Sequence, residues 1–323
     1  MDIVRKTACF VTAFVILFSV AFLAGCGGKK SGTWSDTGTA ATPGWVHALV
    51  YDPAQNVMYA GMGEKGVRKY DGTAWTSISK EIIGLDVRAM AYDPARNLLY
   101  AGTSGHGVWK FDGNAWTDTG GGVSSRRTLS LAYDAAHNLL YVGLEDTGVW
   151  RYDGANWVDV SGAVSAYQIF SLAYDAAHNL LYAGANGAGV WKYDGSTWTD
   201  TAGSMASNVS WALAYDQSRN LVYAGKGNSG VWKYDGANWT NTGGGVSKAW
   251  VDALAIDSSH NLLYAGTTRN GVWSYDGTKW TDMGSAVSKF SISSLAFDAT
   301  HNLLYAGTIS NGVWKFSPVA PAK

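Results

Sequence analysis

Four segments of one repeating unit decide the fold of this chain: VRAMAYD (87–93), NLLYAGT (97–103), GVWKFDG (107–113) and WTDTG (116–120). They are rich in Val, Leu, Tyr and Trp and are bounded by Asp, Asn or Gly, which is typical of short β-strands. We call them strands A to D. The tyrosine of strand B recurs every 41 residues, as Tyr59, Tyr100, Tyr141, Tyr182, Tyr223, Tyr264 and Tyr305.

A period near 40 residues, with four strands in each repeat, is typical of a β-propeller. A lone strand D around Trp34 lies 41 residues before the strand D that begins at Trp75, and the last repeat stops after strand C at Phe316. We therefore predict an all-β, seven-bladed propeller over residues 32–317, followed by a tail at 318–323. The amino-terminal outer strand would complete the last blade and leave no open edge.

The residues before the repeats form a predicted targeting segment. Arg5 and Lys6 precede an apolar run over 8–24, which is typical of a secretory signal peptide, here residues 1–25. The sequence LAGC (23–26) resembles the lipobox of bacterial lipoproteins, and this resemblance implies lipidation of Cys26, with 26–31 as a tether. The alternative is a plain membrane anchor, although about 17 apolar residues are marginal for a span.

Composition and these amino-terminal residues suggest where the protein acts. The formal net charge is −1 and no basic cluster is present, which argues against a nucleic-acid partner. Cys9 and Cys26 are the only cysteines, so the mature chain has no disulfide. Gly27 and Gly28 after the lipid cysteine resemble outer-membrane sorting. We expect a lipid-anchored monomer of the bacterial cell envelope, on the outer membrane and facing the periplasm or the cell surface.

The repeat also resembles a known family. The segments SLAYD (171–175), NLLYAGT (97–103) and GVWKYDG (189–195) are similar to the two-component-regulator propeller repeats of periplasmic sensors in hybrid histidine kinases. The resemblance covers residues 32–316. It implies a ligand-sensing propeller, often one for carbohydrate fragments, but such repeats specify the blade more than the ligand.

Positions that differ between repeats point to a binding face. They fall in the D–A connections and the B–C loops, which emerge on the same face because strands alternate in direction. Most tryptophans recur at a fixed position of strand C or strand D, and we expect these to pack between sheets. Trp45, Trp211 and Trp250 do not belong to either repeated position. The predicted ligand-binding residues are Trp45, His47, Asp86, Arg88, Arg126, Arg127, Tyr167, Phe170, Trp211, Trp250, Asp252 and Phe290.

Aromatic side chains beside charged hydrogen-bonding groups suit a small polar ligand or a glycan. Three alternatives stay open at this point. The aromatic residues could plug the channel, the face could bind an envelope protein as a scaffold, or His47 with Asp86 and Asp252 could serve acid–base chemistry in a lyase or hydrolase. With no catalytic motif in the chain, we expect that it is not an enzyme.

We predict no metal site and no cofactor. The histidines His137, His178, His260 and His301 occupy the same A–B turn position in different blades, so they cannot converge on one ion. The aspartate that opens each of these turns is predicted to cap the turn rather than to form a carboxylate pair.

Overall fold

The computed structural model describes residues 32–38, 44–201 and 209–318. These residues form seven four-stranded antiparallel sheets. The first strands of neighbouring sheets contact one another around a closed ring, in which the last sheet meets the first. The predicted seven-bladed propeller is confirmed. Its described residues include no helix long and apolar enough to cross a membrane, and the predicted signal peptide and lipid site lie outside them.

The first three blades follow the predicted repeat closely. Blade 1 contains β2 (Ala48–Asp52), β3 (Val57–Gly61), β4 (Val67–Tyr70) and β5 (Trp75–Ser77). Blade 2 contains β6 (Val87–Asp93), β7 (Leu98–Thr103), β8 (Val108–Phe111) and β9 (Trp116–Asp118). Blade 3 contains β10 (Thr128–Asp134), β11 (Leu139–Leu144), β12 (Val149–Tyr152) and β13 (Trp157–Asp159).

The remaining blades repeat the same order. Blade 4 contains β14 (Ile169–Asp175), β15 (Leu180–Ala185), β16 (Gly189–Tyr193) and β17 (Trp198–Asp200). Blade 5 contains β18 (Ser210–Asp216), β19 (Leu221–Lys226), β20 (Gly230–Tyr234) and β21 (Trp239–Asn241). Blade 6 contains β22 (Val251–Asp257), β23 (Leu262–Thr267), β24 (Val272–Tyr275) and β25 (Trp280–Asp282). Blade 7 contains β26 (Ile292–Asp298), β27 (Leu303–Thr308), β28 (Val313–Pro318) and β1 (Gly32–Asp36). Short 3-10 helices lie at Gly121–Val123, Gly162–Val164 and Gly244–Val246.

Each strand B is buried on both faces because its blade lies between two neighbours. The invariant glycine of this strand permits that close packing. A Cβ on Gly102 would lie 2.2 Å from Thr128 Cγ2 of the next blade. The A–B turns also show the predicted chemistry: Asp93 Oδ1 accepts hydrogen bonds from the amides of Ala95 and Arg96, and Asn97 adopts a φ of 54°.

The amino-terminal strand closes the ring, as predicted from Trp34. Strand β1 pairs antiparallel with β28, from Gly32 opposite Pro318 to Asp36 opposite Trp314. Trp34 Nε1 donates to the carbonyl of Met283 in blade 6. The other strand-D tryptophans also donate to the preceding blade, two to a backbone carbonyl and four to a threonine hydroxyl: Trp116 and Trp198, then Trp75, Trp157, Trp239 and Trp280. A circle of indole hydrogen bonds therefore joins every blade to its neighbour.

Candidate functional site

The face that carries the D–A connections and the B–C loops is here called the upper face; the A–B and C–D turns form the lower face. Backbone hydrogen bonds join the two upper segments within a blade. The amide of Ser104 donates to the carbonyl of Asp86 at 2.9 Å, and the amide of Thr268 donates to the carbonyl of Trp250 at 3.0 Å. The D–A connections and B–C loops thus share one face, as the strand directions predicted.

A β-bulge near the upper end of strand A presents the variable residues. The pairing of strands A and B skips one residue in blades 2 to 7. The skipped residues are Arg88, Leu129, Phe170, Trp211, Asp252 and Ser293. Bulges leave a residue outside the ladder and redirect its side chain, and they are common beside binding sites. The bulge therefore lets this position vary from blade to blade without disturbing strand pairing.

Four consecutive blades, from blade 5 round the ring to blade 1, form a pocket of about 410 Å³ on this face. We call it the upper pocket. Its lining residues are Trp45, His47, Trp211, Trp250, Asp252, Thr268, Ser293 and Ile309. The first five of these were predicted from the sequence as ligand-binding residues. The other three were not, because the prediction chose aromatic and charged side chains among the variable positions, and Thr268, Ser293 and Ile309 are neither.

The pocket has aromatic walls that are open to solvent. The Trp211 ring contacts the rings of Phe170 and Trp250, with centroids 4.5 Å and 5.5 Å away, and Trp45 stacks on His47 at 4.6 Å. Trp45 is 46% exposed and Trp250 is 38% exposed. Ile309, also in the lining, is 37% exposed. Large apolar side chains that stay exposed together in a concavity mark a binding surface.

The polar part of the pocket centres on Asp252. Thr268 Oγ1 donates a 2.6 Å hydrogen bond to Asp252 Oδ2. Burial raises the pKa of Asp252, while the hydrogen bonds from Thr268 and from the side chain of Trp250 oppose that rise. Ser293 Oγ donates to the carbonyl of Val46 at 2.7 Å, which fixes its position in the pocket wall.

An arc of paired charges lies beside the pocket in blades 1 to 3. Arg88 binds Asp86 through Nε at 2.7 Å and through the terminal nitrogen at 2.6 Å, and Arg127 binds Glu145 at 2.6 Å. His47 Nε2 is 3.6 Å from Asp86 Oδ1. Burial, with Arg88 nearby, lowers the pKa of His47 to about 4 despite the opposing effect of Asp86. His47 is therefore neutral at physiological pH.

Three of the predicted residues that do not line the pocket pack on strand-C tryptophans. Tyr167 packs on Trp191 of its own blade at 6.2 Å between ring centroids, and Phe290 packs on Trp314 at 5.4 Å. Arg126 lies over the Trp150 ring at 5.8 Å and also binds Asp146. Five of the twelve predicted residues therefore line the upper pocket. All three residues hold the first variable position of the D–A connection, which packs on the strand-C tryptophan.

The lower-face histidines act in turns, as predicted. In His137, His178, His260 and His301, Nδ1 lies 2.7–2.8 Å from the turn aspartate three residues earlier. Within residues 32–38, 44–201 and 209–318, we find no group of three potential metal ligands. The strand-C tryptophans are structural too: Trp109 and Trp273, for example, donate to carbonyls of their own B–C loops.

The sequence matches no protein-family description and no curated protein. Its fold resembles solved structures. A GH74 xyloglucanase from Xanthomonas campestris has a TM-score of 0.71 and 18% identity, over 88% of this chain and 53% of that one. The extracellular domain of a proposed hybrid two-component system from B. thetaiotaomicron has a TM-score of 0.71 and 17% identity, over 91% and 40%. Raptor from Chaetomium thermophilum has a TM-score of 0.67 and 11% identity, over 86% and 28%.

This chain spans about half, or less, of the length of these structures. Identities below one in five show a shared fold and do not transfer an activity. The fold and the site together define a seven-bladed β-propeller with an open aromatic pocket on one face.

Proposed function

We propose that this protein is a binding module of the bacterial cell envelope whose upper pocket takes a small polar ligand or a glycan. The observation that carries the proposal is the joint exposure of Trp45, Trp250 and Ile309 around one pocket. A channel plug would bury these side chains against one another. Burial of a large apolar side chain is worth roughly 1.5–3 kcal/mol, so its absence here favours a partner that covers them.

The lining suits a sugar ring better than a purely apolar ligand. Tryptophan faces offer flat apolar surface, and Asp252, Thr268 and Ser293 supply hydrogen-bonding groups at its edge. Two of the structural neighbours are a xyloglucanase and the extracellular domain of a hybrid two-component system. Their names support glycan chemistry and an envelope location as part of this proposal.

The amino-terminal sequence supports the location further. Lipidation at Cys26 would anchor the chain to the outer membrane. Strand β1 begins at Gly32 on the lower face, since Gly32 pairs with Pro318 at the C–D end of β28. Six extended residues reach at most roughly 20 Å. The lower face then lies near the membrane and the upper pocket points away from it, where ligands can enter.

The test is a titration of the purified protein with mono- and oligosaccharides, followed by tryptophan fluorescence. Trp250→Ala should abolish the fluorescence response to the ligand that binds. Because Trp250 is partly exposed, the substitution should lower stability by only about 1 kcal/mol. Trp198→Ala is the matched control. It removes a strand-D tryptophan far from the pocket and should leave binding intact while destabilising the fold by about 3 kcal/mol.

The opposite pattern would contradict the proposal. If Trp250→Ala destabilises the protein as much as Trp198→Ala and leaves every ligand response unchanged, then Trp250 is a structural residue and the pocket is not the binding site.

A further inference from the structure

The carboxylate of Asp252 differs from those of the neighbouring charged arc. Asp86 is neutralised by Arg88 and Glu145 by Arg127. Asp252 accepts hydrogen bonds from the neutral side chains of Thr268 and Trp250, and in the part of the chain that the structure describes no cation pairs with it. A largely buried carboxylate is usually paired with a cation or metal, because removal from water penalises the charged form.

The rest of the pocket supplies no positive charge. Its lining contains neither lysine nor arginine. His47 is the one basic residue there, and it is neutral because burial and Arg88 lower its pKa to about 4. The Arg88 guanidinium, in turn, is held by Asp86 through two nitrogens. The pocket therefore combines a single negative charge with the electron-rich faces of Trp45, Trp211 and Trp250.

This combination attracts organic cations for two physical reasons. A ligand ammonium near Asp252 would form a charge-assisted hydrogen bond, roughly twice as strong as a neutral one. Indole faces attract cations through the ring quadrupole, most strongly where water is excluded. An anionic ligand would be repelled by the same carboxylate and the same ring faces. No lysine or arginine in the lining would offset that repulsion.

We propose that the upper pocket selects ligands that carry an ammonium group, such as amino sugars or alkylammonium compounds, over neutral and anionic analogues. This inference rests on the proposed function and names the chemical class of its ligand. Asp252 forms the ion pair, and the three tryptophans enclose the cation and any attached ring. Thr268 holds the carboxylate in place through its 2.6 Å hydrogen bond.

A charge series on one sugar ring tests the inference. Tryptophan fluorescence of the purified protein is titrated with glucosamine, N-acetylglucosamine, glucose and glucuronate, and with tetramethylammonium as a cation without a sugar. Glucosamine is expected to bind about tenfold more tightly than glucose or N-acetylglucosamine, as one charge-assisted contact provides. Tetramethylammonium should also bind, and glucuronate should bind most weakly.

Matched variants locate the effect. Asp252→Asn keeps the size of the side chain and removes its charge, so glucosamine and glucose should then bind equally. Asp146→Asn removes an exposed carboxylate on the same face, outside the pocket, and should leave the tenfold preference unchanged. Thermal melting of both variants checks that they remain folded.

The outcomes separate the two proposals. Equal binding of glucosamine and glucose by the unaltered protein, or a preference that survives Asp252→Asn, overturns cation selection and leaves the binding module standing. Binding of a neutral oligosaccharide, with no response to glucosamine or tetramethylammonium, likewise overturns cation selection and leaves the binding module standing. If none of the five probes and no oligosaccharide changes the fluorescence, both cation selection and the proposed function are wrong.

Discussion

Removal of the Trp34 side chain should weaken the closure of the ring. The Trp34 ring lies 5.2 Å from that of Phe316 on the strand it pairs with, and its indole nitrogen binds the Met283 carbonyl at 3.1 Å. Trp34→Ala deletes both contacts. Because Trp34 is only half-buried, we expect the free energy of unfolding to fall by about 3 kcal/mol, the lower end of the range for a core tryptophan. At roughly 2–4 °C per kcal/mol, the melting temperature should fall by about 6–12 °C.

The informative comparison is with Trp198→Ala, at the same strand-D position of blade 4. Trp198 donates to the Val160 carbonyl at 2.7 Å, and its ring lies 4.9 Å from that of Tyr193. Trp198→Ala should therefore lower the free energy of unfolding by a similar amount. In blade 4, strand D continues directly from strand C. Strand β1 instead reaches β28 from the other end of the chain, so it can detach and expose the β28 edge.

Native-state hydrogen exchange distinguishes the two variants. Trp34→Ala should speed exchange of the amides in 313–318, whereas Trp198→Ala should leave them protected, since local opening concentrates where few contacts hold a strand. Equal exchange at β28 in both variants, together with an unchanged melting temperature for Trp34→Ala, would refute the assignment of β1 as the strand that closes the ring.

Three further predictions concern charge and orientation. His47 has a folded pKa of about 4 against 6.5 in the unfolded chain, so stability should fall by on the order of 3 kcal/mol as the pH drops through that window, and His47→Gln should remove the dependence in pH-resolved denaturation. Burial lowers the pKa of Lys226 to about 8 from 10.5, so stability should rise with pH between those values; a flat profile, or one that persists in Lys226→Met, would contradict this. If Cys26 carries the proposed lipid, a bulky thiol reagent on intact membranes should label His106→Cys on the upper face faster than Ala95→Cys on the lower face. Equal rates would show that the orientation is wrong.

Sequence reasoning succeeded where each blade needs the same residue. The spacing of the strand-B tyrosines and the register of Trp34 with Trp75 predicted seven blades and the closing strand, and the pairing of β1 with β28 confirms both. These features were predictable because the same packing contact recurs at every blade interface. Comparison of the seven repeats with one another thus separated the positions that every blade needs from those that vary.

The composition of the pocket was only partly predictable. Trp211 and Asp252 were identified because they occupy a position whose residue differs from blade to blade. The repeat could not show that this position lies on a β-bulge. Nor could it show that Tyr167 and Phe290 pack outward on strand-C tryptophans. Side-chain direction at a strand end depends on local register, which a fixed period of 41 residues does not encode. Thr268 could have been found from its place at the start of a variable B–C loop.

The bulges have a consequence for how such a protein changes over time. Most new binding sites arise at the expense of stability, because the substitutions that create them disturb packed or paired residues. Here the varied position at the inner strand of six blades lies outside the ladder. Under the proposed function, substitutions at Trp211, Asp252 or Ser293 would alter which ligand is recognised while strand pairing stays the same. Descendants of this gene could therefore acquire different ligands through a few codon changes, with no prior gain in stability required.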